Sequence, residues 1–140
     1  MITFLYDAHL APDRLDGVAP GAEFLCAAHV SDNRITHGEG VVTVSEAEGE
    51  TVWGAVFTVP DSDLAHLDAS QAAAGRRREN GFRAMDRDGT VHDAVTYVAD
   101  GGQAGAGTVK NELAGMVSGG RHWDLPPGWV AGLEELVGEA

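Results

Sequence analysis

The chain contains one cysteine, Cys26, so no intrachain disulfide can form and a reducing compartment is its natural setting. Cys26 lies in the apolar run Phe24 to Ala28, where it reads as a small buried hydrophobe rather than a nucleophile. Long apolar stretches are missing too: none approaches the roughly 20 residues that a membrane helix needs. The opening Met1 to Tyr6 is too short and too uncharged for a secretory leader, and the expectation is a cytoplasmic protein with no membrane partner. Positive charge is scarce. Nine Lys and Arg face 22 Asp and Glu, a formal net charge of −13, and such a field repels nucleic acid. The six histidines are scattered without metal-ligand spacing, and paired cysteines and HExxH are absent, so no metal is expected. No phosphate loop, nucleophile elbow or dinucleotide fingerprint occurs, and no cofactor is expected either.

What is present fits one domain over residues 1–140, long enough to hold a core without metals or crosslinks. Ile2 to Tyr6 reads as a buried strand ending in Asp7-Ala8-His9. Ala11 to Leu15 gives a helical turn with Pro12 near its start. Phe24 to His29, Gly40 to Val44 and Thr51 to Val59 read as strands, and Glu46 to Glu50 as a hairpin turn. Pro60 to Asp63 starts a short helix with Leu64 and Leu67 on one face. Gly81 to Met85 and Val91 to Val98 flank an Asp88-Gly89 hairpin. Gly101 to Gly107 reads as a surface loop, after which Thr108 caps a helix burying Val109, Leu113, Met116 and Val117 until Gly119-Gly120 stop it. A last helix after Pro126-Pro127 buries Trp129, Leu133, Leu136 and Val137. The expected class is α+β with a largely antiparallel, barrel-like sheet and a few short helices.

Five segments in order carry a family resemblance. They are Leu5-Tyr6-Asp7-Ala8-His9-Leu10, Val52-Trp53-Gly54-Ala55-Val56-Phe57, Leu67-Asp68, the Asp88-Gly89 turn with Thr96-Tyr97, and Gly119-Gly120 leading to Leu125-Pro126. The chain resembles the gamma-glutamylcyclotransferase-like (AIG2-like) family across nearly its whole length. That resemblance implies the family's fold. It also implies a chemistry in which a γ-glutamyl α-amine attacks its own side-chain amide to release 5-oxoproline. Such a step needs a general base, a general acid and donors for the oxyanion. The family draws the acid/base from a glutamate shortly after Leu-Asp and the donors from a Gly-Ser-Asn loop after the first strand.

This chain departs from that pattern at the site. Gln71 stands at the glutamate position, and an amide cannot shuttle protons near neutral pH. The loop reads Asp7-Ala8-His9, an aromatic position falls within Arg76-Arg77-Arg78, and Glu112 takes the place of a tyrosine. The resemblance therefore implies a divergent enzyme, other than a standard 5-oxoproline-forming cyclotransferase. It would act by acid/base chemistry on a small amine-, amide- or acyl-bearing metabolite, in a biosynthetic setting. Asp7, His9 and Glu112 are the candidate proton carriers, histidine being suited to transfer near neutrality. Tyr6, Ala8, Leu10, Gln71 and Arg76 are the candidate substrate contacts, in a monomer or homodimer. Five of these sites have an ordinary reading beside them: Asp7 as a turn residue, His9 as a satisfied histidine, Glu112 as a solvated residue, Gln71 as a polar loop residue and the arginines as exposed strand residues. Two alternatives to an enzyme stay open, a non-catalytic small-molecule-binding module and an interaction protein. An Asp7 or arginine side chain filling the pocket would favour the latter.

Overall fold

The structure is a computed structural model that describes residues 1–38, 40–101 and 109–139. Its centre is a closed barrel of five strands: β1 (Ile2–Leu5), β2 (Glu23–Thr36), β3 (Thr43–Thr58), β4 (Arg76–Asp86) and β5 (Val91–Ala99). Around the barrel the order is β1-β3-β2-β4-β5. Every pairing is antiparallel except β1 with β5, where Thr3 lies opposite Val95. Closure pairs the strands on both sides within the barrel, while the outer part of the β2–β3 ribbon pairs only with itself. Phe4, Leu5, Val52, Val56, Phe57 and Tyr97 are all fully buried in its core.

Among the described residues four α-helices decorate the barrel: α1 (Pro12–Val18), α2 (Asp61–Ala73), α3 (Val109–His122) and α4 (Pro127–Glu139). Pro12 opens α1, where its missing N–H has no intrahelical acceptor to serve. Asp61 and Asp63 sit in the first turn of α2, where negative charge suits the helix dipole. The buried face of α2 runs Leu64, Leu67, Gln71, the 3–4 spacing of an amphipathic helix. It therefore extends the apolar stripe into a polar residue. No helix among the described residues is long and apolar enough to cross a membrane.

The α+β class, the barrel-like sheet and the Asp88-Gly89 hairpin follow the sequence expectation. Gly89 has φ +86°, and Asp86 accepts from the amides of Asp88 and Thr90. Two local readings need correction. Glu46 to Glu50 is not a turn: β2 and β3 form one long ribbon whose connection lies between Thr36 and Thr43. The polar run falls where the register shifts between Ser31 and Asn33. Asp32 there adopts φ +58° and accepts from the Gly49 amide at 2.9 Å. An exposed bulged ribbon needs no apolar alternation, so its sequence looks like a turn. Nor do Gly119-Gly120 stop α3, which continues to His122. They are packing positions. A Cβ on Gly119 would lie 2.3 Å from Leu10 Cβ and 2.4 Å from Leu10 C, so only glycine lets α3 approach the loop after β1. Cys26 is half-buried rather than buried, because a register shift between Phe24 and Cys26 turns this stretch outward. Thr108 and positions 102–107 lie outside the described residues.

Candidate functional site

The first strand ends at Leu5, and Asp7 then caps a short 3-10 turn over Ala8–Leu10. Asp7 Oδ1 accepts the His9 backbone N–H at 2.8 Å and faces His9 Nδ1 at 2.8 Å. An aspartate capping its own turn two residues on is a local preference of the sequence. Here it also presents the imidazole. Asp7 Oδ2 accepts from Gln71 Nε2 at 2.9 Å, so α2 and the turn are tied through one carboxylate. Gln71 Oε1 in turn accepts from Arg76 Nε at 2.6 Å, and Arg76 NH1 donates to the Val42 carbonyl at 3.0 Å. Arg76 NH2 stands 2.7 Å from Glu112 Oε1 in an ion pair whose geometry is not that of a directed hydrogen bond. Glu112 Oε2 also meets Arg14 NH1 at 3.5 Å, and Glu112 Oε1 the Ala8 amide at 3.5 Å.

Asp7, His9, Gln71 and Arg76 are exposed by 1 % or less. Charges so placed must be paired and hydrogen-bonded. Burial alone would push the Asp7 carboxyl up, but the Arg76 guanidinium and the contacts from His9 outweigh it and hold the group well below the usual carboxylate range. Arg76 shows the mirror image: burial works against its charge, while Asp7 and then Glu112 keep it firmly protonated. An ionised Asp7 can only accept, so the proton it shares with His9 belongs to Nδ1. The other ring nitrogen, Nε2, faces Ser70 Oγ at 2.8 Å.

Asp7, His9, Gln71, Arg76 and Glu112 therefore form one contiguous network. Its members come from the turn after β1, from α2, from β4 and from α3. The other three candidates lie beside it with buried side chains. Tyr6 donates to the Tyr97 carbonyl at 2.5 Å, and its hydroxyl is held protonated by burial and by the neighbouring Asp7. Ala8 and Leu10 pack inward under α3. Arg77 and Arg78 are the exposed residues of the arginine run. Sequence reasoning missed Ser70, and also Asp68, whose Oδ1 accepts from Tyr97 at 2.5 Å. The available signal was position: Ser70 precedes Gln71 on the same helix turn. The scattered histidines likewise concealed a cluster of Cys26, Asp86 and His92 with side-chain ligand atoms within 4.8 Å of one another. In it His92 Nε2 is already 3.0 Å from Asp86 Oδ2. Surface grooves among the described residues include one of about 1000 Å³ and one of about 690 Å³. The first runs between α1, α3 and α4, the second between β2 and β4, and neither is lined by a member of the network.

The closed five-strand barrel with its surrounding helices has the gamma-glutamyl cyclotransferase-like fold. The chain belongs to the gamma-glutamyl cyclotransferase, AIG2-like family, whose model matches residues 4–124. The human gamma-glutamylcyclotransferase is 28% identical over 79 residues, which cover 49% of this chain and 42% of that protein. The chain thus matches less than half the length of that curated relative. Two solved structures share the fold. A gamma-glutamyl cyclotransferase matches at TM-score 0.77 with 18% identity, covering 96% of this chain and 86% of its own. An uncharacterized human protein matches at TM-score 0.79 with 18% identity, covering 95% and 85%.

Proposed function

We propose that the protein is a divergent member of its family that performs acid/base chemistry on a small amine-, amide- or acyl-bearing metabolite, with His9 as the proton carrier. One observation carries this reading: an ionised, fully buried Asp7 fixes His9 Nδ1 at 2.8 Å and so sets the tautomer and ring orientation. That leaves Nε2 as the atom that takes and gives protons. Asp7 is a positioning residue in this scheme. The guanidinium beside it keeps it ionised, so it serves as a fixed anion rather than as a base. Glu112 faces both Arg76 and Arg14, and two cations suit it to holding charge in place rather than to shuttling protons. Gln71, at the family's glutamate position, donates to Asp7. The proton-handling group has thereby moved from α2 to the turn after β1, and 5-oxoproline formation at an ordinary enzyme rate is not expected.

γ-Glutamyl 4-nitroanilide tests the reading, with 4-nitroaniline release followed by absorbance and glutamate and 5-oxoproline separated by mass spectrometry. The expected result is amide turnover without 5-oxoproline, with kcat lowered by about 10²–10⁴ in His9→Gln. Robust 5-oxoproline release that survives replacement of Asp7, His9 and Glu112 overturns it. A second reading, a non-catalytic binding or interaction module, is favoured by the burial and mutual satisfaction of Asp7, Gln71 and Arg76. It predicts no turnover of any small amide or ester.

A further inference from the structure

We propose that Ser70 is a nucleophile activated by His9, which gives the chain a covalent acyl-transfer route on small amides or esters. The inference rests on the reading of His9 as a proton carrier and adds the reacting atom. Ser70 Oγ lies 2.8 Å from His9 Nε2, and His9 Nδ1 lies 2.8 Å from Asp7 Oδ1. A hydroxyl, an imidazole and a buried carboxylate joined in this order through opposite ring nitrogens form the arrangement that turns a serine into an acyl acceptor. It is recognised by geometry and not by chain order.

Three features go beyond a chance contact. With Nδ1 held to Asp7, Nε2 is the ring nitrogen that faces Ser70 Oγ, and in the neutral ring form its lone pair can accept the Ser70 hydroxyl proton. His9 itself has no exposed surface, and Nε2 faces Ser70 Oγ. Ser70 is only part-buried, so of the two groups it is the serine that has surface open to an acyl compound. Finally, the adjacent residue on α2, Gln71, is pinned to the same carboxylate at 2.9 Å. One turn of helix therefore fixes the serine, while Asp7 fixes both the helix and the imidazole. Preorganisation of this kind is what nucleophilic catalysis requires of a scaffold.

The step balances without a cofactor. Ser70 Oγ adds to the carbonyl carbon as its proton passes to His9 Nε2. The tetrahedral adduct collapses by breaking the C–N or C–O bond, and the amine or alcohol departs with the proton from Nε2. Water then adds to the acyl-serine, gives a proton to Nε2, and releases the carboxylic acid as Ser70 Oγ regains that proton.

An alkyl fluorophosphonate and 4-nitrophenyl acetate test the proposal on the intact chain. Expected are one phosphonyl group per chain mapped to Ser70 and a nitrophenolate burst of one equivalent, both lost in Ser70→Ala. Labelling should fall by about a hundredfold or more in His9→Gln. In Ser70→Cys, iodoacetamide should alkylate position 70 faster than the native Cys26. No adduct at residue 70 in the parent, or labelling equally fast in His9→Gln, overturns the proposal. γ-Glutamyl 4-nitroanilide separates the two readings. If Ser70→Ala still cleaves it and His9→Gln does not, the nucleophile falls and the proton carrier stands; if both variants cleave it like the parent, both fall.

Discussion

Replacing Arg76 by methionine tests the electrostatic logic of the interior directly. Methionine is long, unbranched and adaptable, so it fills most of the volume while removing the charge and every donor. The parent arginine is 1 % exposed. It donates to Gln71 Oε1 and the Val42 carbonyl and stands 3.7 Å from Asp7 Oδ2 and 2.7 Å from Glu112 Oε1. Its loss leaves a buried carboxylate with only neutral donors on one oxygen and strips a donor from the buried Val42 carbonyl. Removing one partner of a buried pair costs about 3–5 kcal/mol, a large share of the roughly 5–15 kcal/mol that holds a domain folded. With a urea m-value of about 2 kcal/mol/M, the midpoint should fall by about 2 M. Adding Asp7→Asn to Arg76→Met removes the stranded anion and should restore at least about 1 kcal/mol relative to additivity. The pH dependence has a definite sign. The folded Asp7 is depressed below its unfolded value of about 3.9, so its contribution is complete above that pH and is lost as pH falls toward the folded value. The unfolded value cancels between the two proteins, so the gap between Arg76→Met and the parent should shrink as pH falls below the variant's folded Asp7 value, which loses the guanidinium's depression while burial still raises it. Urea melts at pH 7 and pH 3.5 decide the matter. A cost under about 1 kcal/mol at pH 7, or an additive double mutant, would refute the reasoning.

Gln71→Glu restores the residue type of the family but sets a second buried carboxyl against Asp7. It should lower stability by about 1–3 kcal/mol near neutrality without producing 5-oxoproline. Like charge raises the new group's folded pKa, so the loss should be smaller at pH 5 than at pH 8 in urea melts, and Asp7→Gly in the same chain should recover part of it. Gly119→Ala would ordinarily favour a helix by about 1 kcal/mol. Here its Cβ would press on the Leu10 backbone, so a net loss of about 1–3 kcal/mol and altered His9 imidazole resonances by NMR are expected.

Local patterns in the sequence carried much of the fold. The apolar Ile2 to Tyr6 strand, the second half of β3 and the Asp88-Gly89 hairpin follow from alternation and turn chemistry that neighbouring residues impose on one another. The 64–67–71 face of α2 obeys the helical period, though reading it as Leu64 and Leu67 alone stopped one position short of the residue that matters. Asp7 and His9 were legible as an odd pair, because a capping aspartate two residues before a histidine is a local matter. The exposed stretch of the β2–β3 ribbon was not legible, since a bulged ribbon open to solvent uses the same polar residues as a turn.

The candidate site belongs to the tertiary level. Three consecutive arginines look alike in sequence, yet Arg76 is buried and Arg77 and Arg78 are exposed. Only barrel closure decides which one faces Asp7 and Glu112. Gly119 reads as a helix stop until Leu10 is found against it. Ser70 and His9 stand 61 residues apart, and no periodicity relates them. The sequence by itself determined which segments bury apolar faces and that an acid and a histidine follow the first strand. The packing of α2 and α3 against the barrel decided that these groups share one buried network, because burial and charge pairing arise only where distant segments meet.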